Sequence, residues 1–163
     1  MELRKHFDWR YAFIGLYFLA FAIYIIVGLQ PAQATEHEKT GEITIPSIGL
    51  RSETVGLELV GRKLETPDVL VGSYTKNENK TLLIGHSTTV FSELNRVQLK
   101  DKIIYDGRDY LVNKIETWKK ELINMGRLLK AEEKDTIVLM TCAGELLGEG
   151  DATHRLIITA SVR

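Results

Sequence analysis

A single thiol, an arginine and two histidines are the side chains here whose types and spacing could carry covalent chemistry. Cys142 is the only cysteine among 163 residues. It closes Thr136-Ile137-Val138-Leu139-Met140-Thr141-Cys142, an apolar run that predicts a buried strand. Arg155 follows thirteen residues later, at the head of a second strand-like run, Leu156 to Ala160. Consecutive strands usually pair antiparallel. That predicts a hairpin with Cys142 and Arg155 meeting at its mouth, across a short acidic loop 143–154 that carries Glu145, Glu149 and Asp151. A guanidinium stays protonated, and positive charge beside a thiol favours the nucleophilic thiolate. The chemistry suited to such a pair is attack on an electrophilic carbon.

A cysteine nucleophile needs a partner for proton transfer. Of the four histidines, His6 and His37 precede the folded domain, which leaves His86 and His154. His154 adjoins Arg155, and neighbouring strand residues point to opposite faces, so His154 is expected to face solvent while Arg155 faces Cys142. His86 follows the strand-like Thr81-Leu82-Leu83-Ile84-Gly85 and precedes the polar Ser87-Thr88-Thr89, a setting that exposes a side chain at a sheet end.

The elements that must position these groups begin with a membrane segment. Tyr11 to Leu29 contains no charge over nineteen residues, and as a helix it would span about 28 Å, near the thickness of a bilayer core. Arg4, Lys5 and Arg10 precede it and Glu36 and Glu38 follow, so residues 1–10 are expected in the cytoplasm, 11–29 across the membrane and the remainder outside. Ala32-Gln33-Ala34 has the small-x-small form of a signal-peptidase site, but the apolar run exceeds the roughly 7 to 15 residues of a signal core. Either way the domain is exported. A lone cysteine in an oxidising compartment has no intramolecular disulfide to make, which argues for a chemical use of Cys142 over core filling.

Residues 30–40 read as a tether opened by Pro31, and 41–163 as one domain. Strand signals cover 42–48, 54–60, 69–74, 81–84, 102–105, 110–115, 136–140 and 156–162, which predicts an all-β domain, closed or sandwiched. Asp106-Gly107, 77–79 and 61–63 read as turns, and Pro46 as a sign that the first strand is an edge or is interrupted. Helix is confined to short candidates at 92–97 and 122–130. The net charge of −1 suggests no nucleic-acid partner. No Asp-x-Asp spacing supports calcium: Glu78, Glu116 and Glu121 are conceivable ligands that read better as a solvated face, and no cofactor is assigned.

These residues resemble the sortases, membrane-anchored cysteine transpeptidases of bacterial surfaces. The resemblance rests on Ile84-Gly85-His86-Ser87, on Val138-Leu139-Met140-Thr141-Cys142, on Arg155-Leu156-Ile157-Ile158 and on the chain order His, Cys, Arg. Ile43-Thr44-Ile45-Pro46-Ser47-Ile48 is similar to the family's opening strand, and Phe91-x-x-Leu94 leads into Lys102-Ile103-Ile104-Tyr105; Lys100-Asp101 departs from the more usual Gly-Asp. The resemblance implies a closed eight-stranded β-barrel with short helices. It also implies cleavage of a Leu-Pro-x-Thr-Gly-like signal near the C-terminus of a secreted protein, and transfer of the acyl group to an amine such as a cell-wall precursor or a pilin lysine. Cys142 would be the nucleophile, His86 the acid and base, Arg155 the oxyanion donor, and Thr141 a neighbour shaping that region. Specificity is expected around the long connection 116–135. A sortase-like hydrolase and a membrane-tethered β-domain acting as a binding module are the alternatives.

Overall fold

The structure, a computed structural model, describes residues 38–60, 63–64, 66–77, 79–148 and 151–162. The segments read as cytoplasmic start and membrane anchor, and most of the tether, lie outside the described residues, as does Glu78. Among the described residues no helix is long and apolar enough to cross a membrane.

Ten strands follow in chain order: β1 (Lys39–Ile45), β2 (Leu50–Gly56), β3 (Leu59–Val60), β4 (Lys63–Leu64), β5 (Val71–Asn77), β6 (Lys80–Ile84), β7 (Lys102–Tyr105), β8 (Arg108–Lys119), β9 (Thr136–Gly148) and β10 (Asp151–Val162). Eight of them close a barrel in the order β1-β2-β5-β6-β9-β10-β8-β7, while β3 and β4 form a separate two-stranded pair. The eight barrel strands are the eight expected from apolar patterning, with shifted ends. Pairing is antiparallel except for β2 with β5 and β6 with β9. Closure leaves β1 between β2 and β7, so Pro46 marks no edge; it ends β1 and starts a 3-10 turn, Pro46–Ile48.

Alternation along the strands sorts side chains into two clusters. Ile43, Ile45, Val71, Leu83, Ile103, Val112, Ile137, Leu139, Ile158 and Ala160 fill the barrel interior with Phe91 and Leu94. Leu82, Ile84, Val138 and Ile157 point outward and are covered by Leu57, Leu128 and Leu129. On β6, β9 and β10 both faces are thus buried over part of their length, and a one-residue slip would exchange the two sets, which fixes the register.

Two turns repay attention. Asp106 and Gly107 both take positive φ, 47° and 73°, between the paired residues Tyr105 and Arg108, as a two-residue type I′ hairpin demands. Lys100, where the resemblance led one to look for glycine, also takes a left-handed φ of 72°. That conformation costs a non-glycine residue about 1 to 2 kcal/mol, and it is held by the Lys100 N–H on the carbonyl of Val112 at 2.8 Å.

Three expectations need correction. The helical candidates shrink to a 3-10 turn, Leu94–Arg96, and a four-residue α-helix, Met125–Leu128; around 92–97 the backbone closes i to i+3 bonds, as in Leu94 N–H to Phe91 and Val97 N–H to Leu94, and not the i to i+4 bonds of an α-helix. The sixth barrel strand runs on to Lys119, so the long connection begins at Lys120 and not at 116. The described residues of the loop expected over 143–154 are strand: β9 runs to Gly148, β10 starts at Asp151, and these two residues are paired. That ribbon was hidden because Gly144, Glu145 and the exposed Leu146 and Leu147 show no period-two burial pattern.

Candidate active site

Strand register brings Cys142 and Arg155 directly opposite each other in the β9–β10 ladder. Directly opposed residues share a face, so both lie on the outer side of the barrel with Met140 and Ile157. The pair sits within the ladder, several residues before the ribbon ends, and not at a hairpin mouth. On its other side Arg155 is paired with Trp118 of β8, so Trp118, Arg155 and Cys142 form one row across three strands.

His86 lies two residues past the end of β6. Ile84 is level with Met140 in the parallel β6–β9 ladder, and counting on by two sets His86 level with Cys142. Two bonds extend that alignment past the last ladder pair: the Gly85 N–H donates to the Met140 carbonyl at 3.3 Å, and the Thr141 hydroxyl donates to the Gly85 carbonyl at 2.7 Å. Thr141 is buried and points inward, opposite to Cys142, so its visible work is to tie the start of the His86 turn to the cysteine strand. Gly85 is required by close approach, since a Cβ there would stand 2.6 Å from Val90 Cγ1 and 2.7 Å from Phe91 Cδ2. Phe91 folds back over it because the His86 carbonyl accepts the N–H groups of Thr89 and Phe91. His86 and Cys142 are both half-buried.

The arginine is held on three sides. Its Nη1 donates to the carbonyls of Ala152 and His154, each at 2.9 Å, and its Nη2 to Asp151 Oδ1 at 2.6 Å. Asp151 in turn accepts the Ala152 N–H and the Lys120 ammonium. The ammonium of Lys120, then the guanidinium of Arg155, hold the Asp151 carboxyl well below the usual carboxylate range. His154 does not face solvent as expected: it is half-buried, with Nδ1 2.8 Å from the Thr153 hydroxyl. The cause is a bulge at Gly144, at φ 80°, which bends the ribbon so that Thr153 and His154 pack where a Cβ on that glycine would stand.

The connection from Lys120 to Asp135 lies over the outer face beside this row. Asn124 caps the short helix through its side chain, Leu128 and Leu129 are buried against β6, β9 and β10, and the Arg127 guanidinium stacks on Trp118 at 4.6 Å from the ring centroid. Beneath it runs a groove of about 250 Å³ bordered by Trp118, Arg127, Leu128, Val138 and Ile157. A larger groove, about 700 Å³, lies along 48–53 and 89–93; none of His86, Cys142 or Arg155 lines either groove, but the smaller one is bordered by Trp118 of their row. Among the described residues no group of histidine, cysteine and acidic side chains gathers as a metal site, and Glu116 is paired with Lys114 at 2.9 Å.

The sortase-domain sequence profile matches residues 43–163. The chain belongs to the sortase family. Solved sortases share the barrel. Sortase A from Corynebacterium diphtheriae, in a lid-mutant form, superposes with a TM-score of 0.60 at 24% identity, covering 81% of this chain and 74% of its own. Sortase C-1 from Actinomyces oris gives 0.59 at 27% identity, over 77% and 72%, and a Group B Streptococcus Pilus Island 1 sortase C2 gives 0.60 at 22%, over 78% and 75%. Among curated proteins none matches. Membership makes this a sortase-type enzyme domain. Reading the sequence missed Asp151, Lys120, Trp118 and Arg127. For Asp151 the available signal was its place four residues before Arg155, which puts both on one face of a strand once the strand is known to extend that far.

Proposed function

We propose that this sortase is a membrane-anchored cysteine transpeptidase whose reacting groups are Cys142, His86 and Arg155. The observation that carries the reading is thiol and guanidinium opposed in one ladder; His86, two residues past the end of the parallel strand beside the cysteine strand, supports it. The substrate is a secreted protein bearing a Leu-Pro-x-Thr-Gly-like signal near its C-terminus, lying along the groove beneath the 120–135 connection. The Cys142 thiolate attacks the threonine carbonyl carbon, and Arg155 donates to the oxygen as it gains negative charge, a role for which preorganised donors are worth about 3 to 4 kcal/mol. His86 protonates the departing glycine amine as the C–N bond breaks, which leaves a thioester. An incoming amine then attacks the thioester, gives its proton to His86 and releases the thiolate with a new amide. Residues 11–29 hold the domain at the outer surface of the cell membrane, where the secreted substrate and the amine acceptor meet it.

The test is the intact mass of the full chain after exposure to a pool of Leu-Pro-x-Thr-Gly-like peptides, beside Cys142→Ala. An adduct on the wild type alone, lacking the peptide's C-terminal portion, is the expected result. No adduct together with a thiol inert to iodoacetamide would replace this reading with that of a tethered binding module. No adduct with a rapidly alkylated Cys142 would reject the peptide class and keep the nucleophile.

A further inference from the structure

Arg155 is the better buried of the two arginines in Arg–Asp pairs, with a side chain 15% exposed, and three of its five N–H donors are already committed. Both donors of Nη1 go to carbonyls of its own strand, and one of Nη2 goes to Asp151. Among the described residues this leaves the Nε–H and one Nη2–H for an external acceptor. A long, flexible side chain has been reduced to a single presented edge.

The carboxylate that fixes it is itself fixed. Asp151 Oδ1 accepts the Ala152 N–H at 2.9 Å as well as Arg155, which sets the carboxylate against its own backbone, and Oδ2 receives Lys120. Lys120 opens the connection that lies over the candidate substrate groove. Asp151 therefore links the guanidinium to the element covering the groove. The carbonyls of Ala152 and His154, both on Nη1, would alone leave the guanidinium some freedom to turn; the second, charged anchor on Nη2 removes it.

We infer that Asp151 is a positioning residue for Arg155. It aims the free edge of the guanidinium toward the row with Cys142, and Lys120 braces it. This rests on the reading of Arg155 as the oxyanion donor, and it assigns Asp151 a role that its half-buried place at the start of β10 does not by itself suggest. Asp151 acts through Arg155.

The test uses the full chain as wild type, Asp151→Asn and Asp151→Glu, each in the Arg155 and the Arg155→Lys background. Two readouts are taken. One is the rate of thioester formation with the Leu-Pro-x-Thr-Gly-like peptides, resolved into kcat and KM; the other is the ¹⁵N guanidinium spectrum of Arg155. Displacing a donor by about an ångström costs on the order of a hundredfold, so Asp151→Asn should lower kcat about tenfold to a hundredfold with KM nearly unchanged. Asp151→Glu should recover most of the loss, and Asp151→Asn should add nothing once Arg155 is lysine. In the spectrum, the separate Nη signals of a held guanidinium should merge in Asp151→Asn and persist in Asp151→Glu. A kcat within twofold of wild type in Asp151→Asn, a loss that persists in the lysine background, or unaltered Nη signals would each overturn the inference. A wild-type chain that forms no thioester counts against the transpeptidase reading instead, and the Nη signals then decide alone whether Asp151 holds Arg155.

Discussion

The paired strands β8 and β10 carry an arginine–aspartate pair at each end, and the two pairs are chemically alike but placed differently. At one end Arg108 meets Asp135 at 2.7 Å, with a guanidinium side chain 70% exposed. At the other, Arg155 meets Asp151 at 2.6 Å with its side chain 15% exposed. Asp135 also accepts the hydroxyl of the buried Tyr110 at 3.0 Å, and its carbonyl takes the Val162 N–H, so this end closes the barrel. The other end adds two strand carbonyls to the aspartate and sets the guanidinium beside a thiol. An exposed ion pair is screened and contributes little, whereas a half-buried one held by three built-in acceptors is an oriented charge. Placement, not residue type, separates the two pairs.

The sharpest way to break the comparison is through the histidines of the site end. His86→Ala should lower turnover by about 10² to 10⁴, the usual worth of a positioned acid and base, while His154→Ala, which keeps the carbonyl that binds Arg155, should leave turnover unchanged. Equal losses, measured as initial rates of thioester formation, would mean that the level of His86 beside Cys142 has no chemical meaning. Next come the arginines. Arg155→Lys keeps the charge but loses the planar fork and should cost about 10² to 10³ in rate, whereas Arg108→Lys should turn over like wild type. A small effect at Arg155 would reduce it to a long-range charge and erase the distinction between the two ends.

The mildest test sharpens the structural end. Burial, then the Asp135 carboxylate, pushes the Tyr110 phenol up to about 12. The folded state therefore keeps this proton longer than the unfolded chain. Its contribution to stability is complete below the ordinary phenol value of about 10 and is lost as pH rises through about 12. Thermal unfolding followed across that window should fall more steeply for wild type than for Tyr110→Phe, with thioester formation at neutral pH alike in both. Parallel curves would show that Tyr110 does not carry the alkaline limb.

Much of the fold was legible because it is local. Apolar runs bounded by turns marked every barrel strand, and Asp106-Gly107 marked a hairpin that only positive φ at both residues can make. The pairing of Cys142 with Arg155 was legible for the same reason, since chain neighbours pair antiparallel. Strand ends were not legible where burial gave out. Beyond Ala143 the residues of β9 are exposed on both faces, and nothing in the pattern of Leu146 and Leu147 distinguishes strand from loop.

The sequence by itself determined the alternation that puts Thr141 inward and Cys142 outward, and the order in which histidine, cysteine and arginine arrive. Tertiary structure decided the rest of the site. His86 comes level with Cys142 through a parallel pairing of strands more than fifty residues apart, specified only by the burial of Leu83 and Leu139 inside the barrel and of Leu82, Ile84 and Val138 on its outer face. Asp151, Arg155 and Lys120 meet because a bulged ribbon and the connection after β8 converge on one place. Local periodicity encodes which face a side chain takes; the closing of a barrel, a property of all strands together, encodes what it meets there.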